Sequence, residues 1–243
     1  MFLSVVIPAH NEEKRMLVTL EKISAFLKAK GYSHEIIVVD DGSTDNTVNV
    51  VEAFSKKNNE PIQILKSSFN YGKGHAVRKG VLASSGDYIL FSDADLSTPI
   101  EEIEKFLPLF QEGYDVVIGS RALRDSQLLI RKPWYRENMG RIFNLFVRMF
   151  VMKGIKDTQC GFKVFKNEVA KKIFEKLNIE HFAFDVEALF IARRLGYKIR
   201  DVPVVWIDSL YSRVHIIRDS LRMINDLFRI FIYNLTGEYH LKS

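Results

Sequence analysis

Continuous apolar runs alternate with segments of helical spacing through the first half of this chain. The runs lie at residues 5–7, 36–39, 62–65 and 88–91, and helical segments follow at 12–28, after 43–45, and at 74–83. Strands that are apolar on both faces and joined by helices are typical of a parallel sheet covered on both sides. The alternation therefore predicts an α/β fold built on a mostly parallel sheet.

The second half predicts the same kind of structure less regularly. Residues 116–118, 161–165 and 199–205 are predicted strands, and helices are predicted near 168–177 and 185–195. No internal repeat or low-complexity linker interrupts the 243 residues. We therefore expect a single domain over residues 1–243 with two functional halves, 1–120 and 121–243.

Charge divides the same two halves. Residues 1–120 hold 12 basic and 17 acidic side chains, a balance of −5, whereas residues 121–243 hold 23 basic and 13 acidic side chains, a balance of +10. An acidic half joined to a basic half suggests metal binding in the first and an anionic partner in the second.

Cysteine content and hydropathy limit the class of protein. The one cysteine, Cys160, allows no intrachain disulfide and no cysteine-based zinc site, and we interpret it as a small buried residue. His10 and Asn11 follow the apolar start too soon for a signal peptide. No run approaches the ~20 apolar residues of a membrane-spanning helix. We expect a cytoplasmic protein that does not cross a bilayer.

Two aspartates directly after the fourth predicted strand give the strongest signal of chemistry. Asp93 and Asp95 flank Ala94 where a buried strand opens into a loop. Ligands bind at the carboxyl ends of strands in open parallel sheets, and a carboxylate pair commonly joins Mg²⁺ or Mn²⁺ to substrate phosphates. We predict a divalent metal site at this pair; a solvated turn without a ligand is the alternative.

Polar residues also follow the first two predicted strands. Asp40 ends a buried strand and needs a hydrogen-bond donor, for which the imide N–H of a uracil-like base would serve. Residues 11–12 lie on the neighbouring loop and are candidates for contacts with base or ribose. Ser43 or Thr44 is predicted to cap the second helix, with Asp45 in its first turn.

Two segments supply positive charge near these carboxylates. Gly72-Lys73-Gly74 opens the third predicted helix, whose N-terminus favours anions, although it matches neither the Walker pattern nor G-x-G-x-x-G. Arg121, after the fifth predicted strand, is a second candidate phosphate contact. A nuclease or phosphatase would need more carboxylates at one metal cluster, or a nucleophile beside a base. Neither is evident, and a nucleotide-binding module without turnover is the non-enzymatic alternative.

Taken in order, these segments resemble glycosyltransferase family 2, and within it the polyprenyl-phosphate sugar synthases, especially the dolichyl-phosphate β-glucosyltransferase branch. The segments are VVIPAHNE (5–12), VVDDGSTD (38–45), GKG (72–74), DAD (93–95), GSR (119–121), DTQCGFK (157–163) and FDVE (184–187). Each is short, but the ordered set is specific.

The resemblance implies the GT-A fold, a Mg²⁺ or Mn²⁺ cofactor, a UDP- or GDP-sugar donor and inversion at the anomeric carbon. Residues 1–120 would form the nucleotide and metal half, and residues 121–243 the acceptor half. The expected nucleotide-sugar contacts are Pro8, Ala9, Asn11, Glu12, Asp40, Lys73, Gly74, Asp93, Ala94 and Asp95, with Asp93, Asp95 and Arg121 as the catalytic set. The expected acceptor contacts are Arg131, Arg136, Arg141, Asp157, Gln159 and Asp185.

UDP-glucose is the expected donor and a polyprenyl or dolichyl phosphate the expected acceptor, with no nucleic-acid partner. Ser97 stands where mannosyl-phosphate synthases often have Gln, which disfavours the alternative of GDP-mannose. The transmembrane helices of many bacterial relatives are missing, so we expect peripheral attachment to the cytoplasmic face of a membrane. Basic amphipathic helices predicted near 138–152 and 213–235 would make that contact, or pack on the core, a homodimer partner or a separate membrane protein.

Two alternatives concern the reaction itself. If the acceptor were a sugar hydroxyl, a general base would be needed, and Asp157, Asp185 or Glu187 would be the candidates. A structural hydrogen bond or ion pair explains Asp185 and Glu187 equally well. A phosphate acceptor is already a nucleophile and needs no base.

Overall fold

The computed structural model describes residues 2–130, 147, 154–207 and 216–239. Its helices and strands, numbered along the chain, are β1 (Phe2–Ala9), α1 (Glu13–Ala29), β2 (Ser33–Asp40), α2 (Thr47–Asn58), β3 (Ile62–Lys66), α3 (Lys73–Ala83), β4 (Tyr88–Ser92), α4 (Leu107–Gln111), β5 (Val116–Ser120), β6 (Gln127–Ile130), β7 (Phe162–Lys166), α5 (Asn167–Glu175), α6 (Phe184–Arg194), β8 (Ile199–Pro203), β9 (Val205–Ile207) and α7 (Ile216–Leu235). A 3-10 helix (Ile100–Lys105) precedes α4.

The main sheet has the strand order β3-β2-β1-β4-β7-β5-β8. Its strands pair in parallel, except that β7 runs antiparallel to both β4 and β5. The reversal arises because β7 enters the sheet at its carboxyl edge, where Gly161 accepts a hydrogen bond from the backbone N–H of Asp93. The predicted mostly parallel α/β sheet is confirmed.

Two apolar clusters cover the two faces of this sheet. Ile37 and Val39 of β2 belong to the cluster under α3, α5 and α6, whereas Ile36 and Val38 belong to the cluster under α1, α2 and the 3-10 helix. Neighbouring side chains of a strand point to opposite faces, so a strand covered on both sides must be apolar throughout. This burial explains the continuous apolar runs of the sequence.

Two predicted element boundaries are wrong. The predicted strand at 199–205 is two strands, because β8 joins the main sheet whereas β9 pairs with β6, which was not predicted. Helix α2 begins at Thr47, after Asn46, so neither Ser43 nor Thr44 caps it. Asp45 precedes the helix instead of lying in its first turn, and its carboxylate accepts a hydrogen bond from the Thr47 N–H (3.0 Å).

Of the two predicted amphipathic helices, the structure describes one over most of its length and only a single residue of the other. The helix predicted at 138–152 lies outside the described residues apart from Val147, which is helical and buried. The helix predicted at 213–235 corresponds to α7, which buries Leu227 and Ile230 against the core. No helix within 2–130, 154–207 and 216–239 combines the length and apolar character needed to cross a membrane.

Candidate active site

The ends of β1, β2 and β4 bring the predicted donor residues together. Ala9 and Asp40 are register partners on adjacent parallel strands, and β4 lies on the other side of β1. Pro8, Ala9, Asp40 and Asp93 therefore meet at the carboxyl edge of the sheet, where ligands bind in open α/β folds. The predicted convergence of these strand ends is observed.

Hydrogen bonds join the loop after β1 to the loop after β2. Asn11 adopts a left-handed backbone (φ 55°), donates its N–H to Ser43 Oγ (2.8 Å) and accepts the Thr44 N–H at its Oδ1 (2.7 Å). Glu12 donates its N–H to Thr47 Oγ1 (2.7 Å), and its carboxylate accepts two hydrogen bonds from Arg15 (2.7 and 2.8 Å). Asn11 thus joins the loops that follow β1 and β2, while Arg15 orients Glu12.

Asp40 and Asp41 differ in the hydrogen bonds that their carboxylates accept. Asp40 is buried, and the nearest donor to its carboxylate is the Ser43 N–H at 3.3–3.4 Å, which is long for a hydrogen bond. Asp41, which the sequence places at the same strand end as Asp40 without a role of its own, accepts the backbone N–H groups of Tyr71 (3.1 Å) and Gly72 (2.7 Å). Asp41 therefore holds the loop that leads into α3. Its place beside Asp40 in the DDG turn was the available signal.

Asp93 lies between a glycine and a lysine. A Cβ on Gly161 would lie 2.0 Å from Asp93 Oδ2, so any larger residue at position 161 would displace the Asp93 carboxylate. Lys73 Nζ is 2.5 Å from Asp93 Oδ1, an ion pair, yet Oδ1 is buried and receives no hydrogen bond of good geometry. Burial alone would lower the pKa of Lys73, but the charges of Asp93, Asp185 and Asp95 outweigh it and raise that pKa.

Asp95 occupies a tight turn. Its Oδ1 accepts the Ser97 N–H (3.0 Å), and its Oδ2 lies 3.7 Å from Arg15 Nη1. The carbonyl of Ala94 accepts the Thr19 hydroxyl (2.6 Å), so Ala94 is held by its backbone. Within 2–130, 154–207 and 216–239, no three His, Cys, Asp or Glu side chains are grouped to hold a metal ion.

The glycines at the start of α3 have a packing role. A Cβ on Gly72 would lie 2.3 Å from His181 Nδ1, and one on Gly74 would lie 2.5 Å from the Ile179 carbonyl oxygen. The His75 N–H donates to the Glu180 carbonyl (3.0 Å), and the Gly72 N–H donates to Asp41. These glycines let residues 179–181 pack directly on α3, and two amides of the helix start are already paired. Anion binding at this terminus stays a prediction.

Arg121, which is partly exposed, forms an ion pair with the buried Asp157. The guanidinium donates to both carboxylate oxygens (2.7 and 2.9 Å), and the Arg121 and Gln159 N–H groups add hydrogen bonds of 2.9 and 3.2 Å. Burial acts to raise the pKa of Asp157, but the Arg121 charge and hydrogen bonds lower it to about 2. The Arg121 guanidinium also lies 5.5 Å from the Trp206 ring centroid. Asp157 therefore orients Arg121 at the end of β5.

Asp185 and Glu187 have structural partners. Lys163, which is fully buried, donates to Asp185 Oδ1 (2.5 Å) and to the Cys160 carbonyl (2.6 Å). Burial raises the pKa of Asp185 although Lys163 acts to lower it. Glu187 accepts the Ile179 N–H and the Tyr239 hydroxyl, both at 2.7 Å. These contacts favour the structural interpretation of both carboxylates.

The other residues singled out in the sequence are Cys160 and the three arginines predicted to contact the acceptor. Cys160 is fully buried, as predicted, and burial raises the pKa of its thiol to about 11. The predicted acceptor contacts Arg131, Arg136 and Arg141 lie outside the described residues. Lys163 ends the DTQCGFK segment and had no predicted role; a lysine in an otherwise apolar strand was its signal.

The sequence model of the family described as Glycosyl transferase family 2 matches residues 4–174. The chain belongs to glycosyltransferase family 2. The predicted family and enzyme class are therefore confirmed.

Curated relatives of this family 2 glycosyltransferase match along nearly its whole length. It is 38% identical to dolichyl-phosphate β-glucosyltransferase of Dictyostelium discoideum, over 100% of this chain and 77% of the relative. The relative of the same name from Saccharomyces cerevisiae is 39% identical over 98% of this chain and 76% of its own length. That from Homo sapiens is 34% identical over 99% and 78%. The predicted resemblance to this branch is confirmed.

Solved structures share the fold of this family 2 glycosyltransferase. Glucosyl-3-phosphoglycerate synthase from Mycobacterium tuberculosis, in complex with UDP, superposes with a TM-score of 0.67 at 23% identity, covering 94% of this chain and 79% of that one. Mannosyl-3-phosphoglycerate synthase from Rubrobacter xylanophilus gives a TM-score of 0.70 at 17% identity, covering 100% and 76%. The predicted GT-A fold is confirmed.

Proposed function

We propose that this glycosyltransferase moves glucose from UDP-glucose to the phosphate of a polyprenyl lipid such as dolichyl phosphate, with inversion at the anomeric carbon. The observation that carries the proposal is the 34–39% identity, over 98–100% of the chain, to relatives named dolichyl-phosphate β-glucosyltransferase. The arrangement of charged groups at the end of the sheet supports the same reaction.

The nucleoside would lie at the ends of β1 and β2. Asp40 has only a long hydrogen bond to its carboxylate, which leaves acceptor capacity for the imide N–H of uracil. Pro8 and Ala9 end the adjacent strand, and Asn11 and Glu12 border the same crevice. This arrangement supports a UDP-sugar as the donor.

Asp93 and Asp95 would hold Mg²⁺ or Mn²⁺ beside the donor diphosphate. The donor set fits, because both residues supply carboxylate oxygens, and Asp93 Oδ1 has the Lys73 ammonium beside it but no hydrogen bond of good geometry. With no third acidic ligand grouped there among the described residues, phosphate oxygens and water would complete the coordination, as Mg²⁺ commonly requires. When bound, the ion supplies positive charge to the departing diphosphate. The mycobacterial synthase of the same fold has been crystallised with Mn²⁺ and UDP-glucose.

The acceptor phosphate would attack the anomeric carbon directly. A phosphate monoester has a second pKa near ~6, so it is largely dianionic at neutral pH and needs no general base. This suits a site where Asp157, Asp185 and Glu187 are each engaged by donors from the protein. Arg121 and the basic second half supply positive charge for the lipid phosphate.

Peripheral attachment at a membrane accompanies this proposal, because a polyprenyl phosphate resides in a bilayer. Helix α7 supports it: the exposed fractions are 63% for Phe228, 49% for Phe231 and 69% for Leu235. These three side chains line one exposed face of α7, next to the face that buries Leu227 and Ile230. Such a face can enter a lipid interface.

A donor and acceptor matrix tests the proposed function. Labelled UDP-glucose and GDP-mannose are each incubated with dolichyl phosphate, undecaprenyl phosphate or a free hexose, and lipid-linked label is measured. We expect label only from UDP-glucose and only on a polyprenyl phosphate. Transfer from GDP-mannose alone, transfer to the hexose, or nucleotide binding without any transfer would contradict the proposal and favour one of the alternatives.

A further inference from the structure

The carboxylates around the end of β4 already face cations of the protein. Asp157 and Asp185 are buried and each has its own partner, Arg121 and Lys163 respectively. Asp93 has Lys73, with Nζ 2.5 Å from Oδ1. Asp95 shares Arg15, which lies closer to Glu12 (2.6 Å) than to Asp95 (3.7 Å). Most of the negative charge that a metal ion would need is therefore neutralised from within the protein.

Lys73 is the cation that a metal ion would meet at Asp93. Its ammonium lies beside Oδ1, between the rings of Phe91 and Phe184, at 6.0 and 5.9 Å from their centroids. The side chain is 22% exposed, so it borders the crevice and is not locked in the core. Like charges repel strongly in a partly buried site, so a dication at Asp93 and an unshielded ammonium beside it oppose each other.

We propose that Lys73 is a resident counter-ion that occupies Asp93 in the free enzyme, so that the metal ion binds well only together with a nucleotide diphosphate. When the metal ion binds Asp93, Lys73 loses its carboxylate partner, and the diphosphate supplies negative charge in its place. Lys73 would thus act first on Asp93 and then on the donor phosphates. This inference rests on the metal role proposed for Asp93 and Asp95.

The test is Mn²⁺ binding with and without UDP, measured from the electron paramagnetic resonance of free Mn²⁺, with a protein-free titration to subtract the Mn²⁺–UDP complex. Lys73→Met keeps the apolar stem between the two rings and removes the charge; Lys73→Gln is a second variant. Lys79→Met is the matched control, because Lys79 lies on the same helix but its ammonium binds the Lys66 carbonyl (2.7 Å) and no carboxylate.

We expect wild type and Lys79→Met to bind Mn²⁺ weakly alone and more tightly with UDP. Either Lys73 variant should bind Mn²⁺ alone about fivefold more tightly than wild type, the factor expected for a partly exposed ion pair, and should gain less from UDP. Unchanged or weaker binding of Mn²⁺ alone in both Lys73 variants would overturn the counter-ion role. Absence of Mn²⁺ binding to wild type even with saturating UDP would instead overturn the proposed metal site itself.

Discussion

At the scale of single residues, the site is a set of ion pairs whose members come from distant parts of the chain. The sequence predicted that Asp40, Asp93 and Arg121 lie at strand ends, and they do, because apolar strands can be recognised from the sequence. The roles of these residues stay predictions. It could not pair Asp157 with Arg121 or Lys163 with Asp185, since those pairs span 36 and 22 positions and depend on the path of β7. Local patterns do not encode such contacts.

The ion pair of Arg121 with the buried Asp157 carboxylate gives a prediction for stability. Because the folded pKa of Asp157, about 2, lies below the ordinary value of 3.8, its ionised form stabilises the fold at neutral pH, and that contribution is lost as pH falls toward 2. Arg121→Met leaves a buried carboxylate without its counter-ion, so we expect a loss of roughly 2–4 kcal/mol at pH 7. At pH 3.5 the loss should be smaller, because Asp157 is then protonated in the variant.

Urea unfolding of wild type and Arg121→Met at both pH values measures this difference. Arg124→Met serves as a control for the loss of one nearby arginine, since Arg124 is exposed in the turn after β5. An equal loss at pH 7 and pH 3.5 would contradict the charge-based explanation.

Cys160 gives a second prediction at this scale. The thiol is fully buried and its pKa is raised to about 11, chiefly by burial, so little thiolate forms at neutral pH. We expect the native protein to resist a disulfide-exchange reagent at pH 8 and to react fully once unfolded in guanidinium chloride. Rapid reaction of the native protein would show that the loop before β7 opens far more readily than its packing indicates.

At the scale of elements, periodicity predicted which segments form helices and strands better than it predicted how the strands pair. The helices α1, α3, α5 and α6 were each predicted to within two residues, because their buried faces repeat with helical spacing. The direction of β7 and the separation of β8 from β9 were not predicted. The direction and the partner of a strand depend on where the preceding segment returns to the sheet. An apolar run has the same pattern whether its strand is parallel or antiparallel to its neighbours.

The first turn of α3 is supported by a chain of contacts that reaches Tyr239, in the turn that follows α7. The Tyr239 hydroxyl and the backbone N–H groups of Asn178 and Ile179 all donate to Glu187, and the next carbonyl, that of Glu180, accepts the His75 N–H. Tyr239 thus positions the segment against which Lys73 and its glycines pack, without touching the donor site.

Removing one hydroxyl tests this support. Tyr239→Phe should raise the KM for UDP-glucose several-fold with a smaller change in kcat, and should accelerate hydrogen exchange in peptides covering residues 68–76 as well as 176–183. Tyr233→Phe is the matched control, because that hydroxyl accepts a hydrogen bond from Arg229 (2.9 Å) on the same helix. Faster exchange confined to 176–183, with KM unchanged, would mean that the contact is only structural.

At the scale of the whole molecule, the charge asymmetry of the sequence follows the order of the elements along the chain. The acidic first half carries the ends of β1, β2 and β4, and the basic second half carries Arg121, Lys163 and α7. We keep the assignment of 1–120 to nucleotide and metal and of 121–243 to acceptor as a proposal. The two halves are in contact at one point of the site, because Gly161, which precedes β7 in the second half, lies against Asp93 of the first half.

The exposed face of α7 gives a prediction for membrane attachment. Replacing Phe228 and Phe231 together by serine should reduce binding to vesicles of anionic phospholipid by at least ~10-fold, because each exposed phenylalanine contributes more than 1 kcal/mol when buried in lipid. Binding of UDP should be unchanged. Replacing Leu17 and Val18, which are similarly exposed on α1, by serine is the control. Equal vesicle binding by both double variants would instead favour a protein partner for α7.

The central claim is that a divalent ion held by Asp93 and Asp95 carries the charge of the departing diphosphate. The most direct measurement is glucose transfer from UDP-glucose to a polyprenyl phosphate by Asp95→Ala, alongside its thermal unfolding midpoint and the activity of wild type in excess chelator. We predict that transfer falls by at least ~100-fold while the unfolding midpoint is nearly unchanged, and that chelator abolishes wild-type activity. Transfer retained by Asp95→Ala, or full wild-type activity in chelator, would contradict the claim.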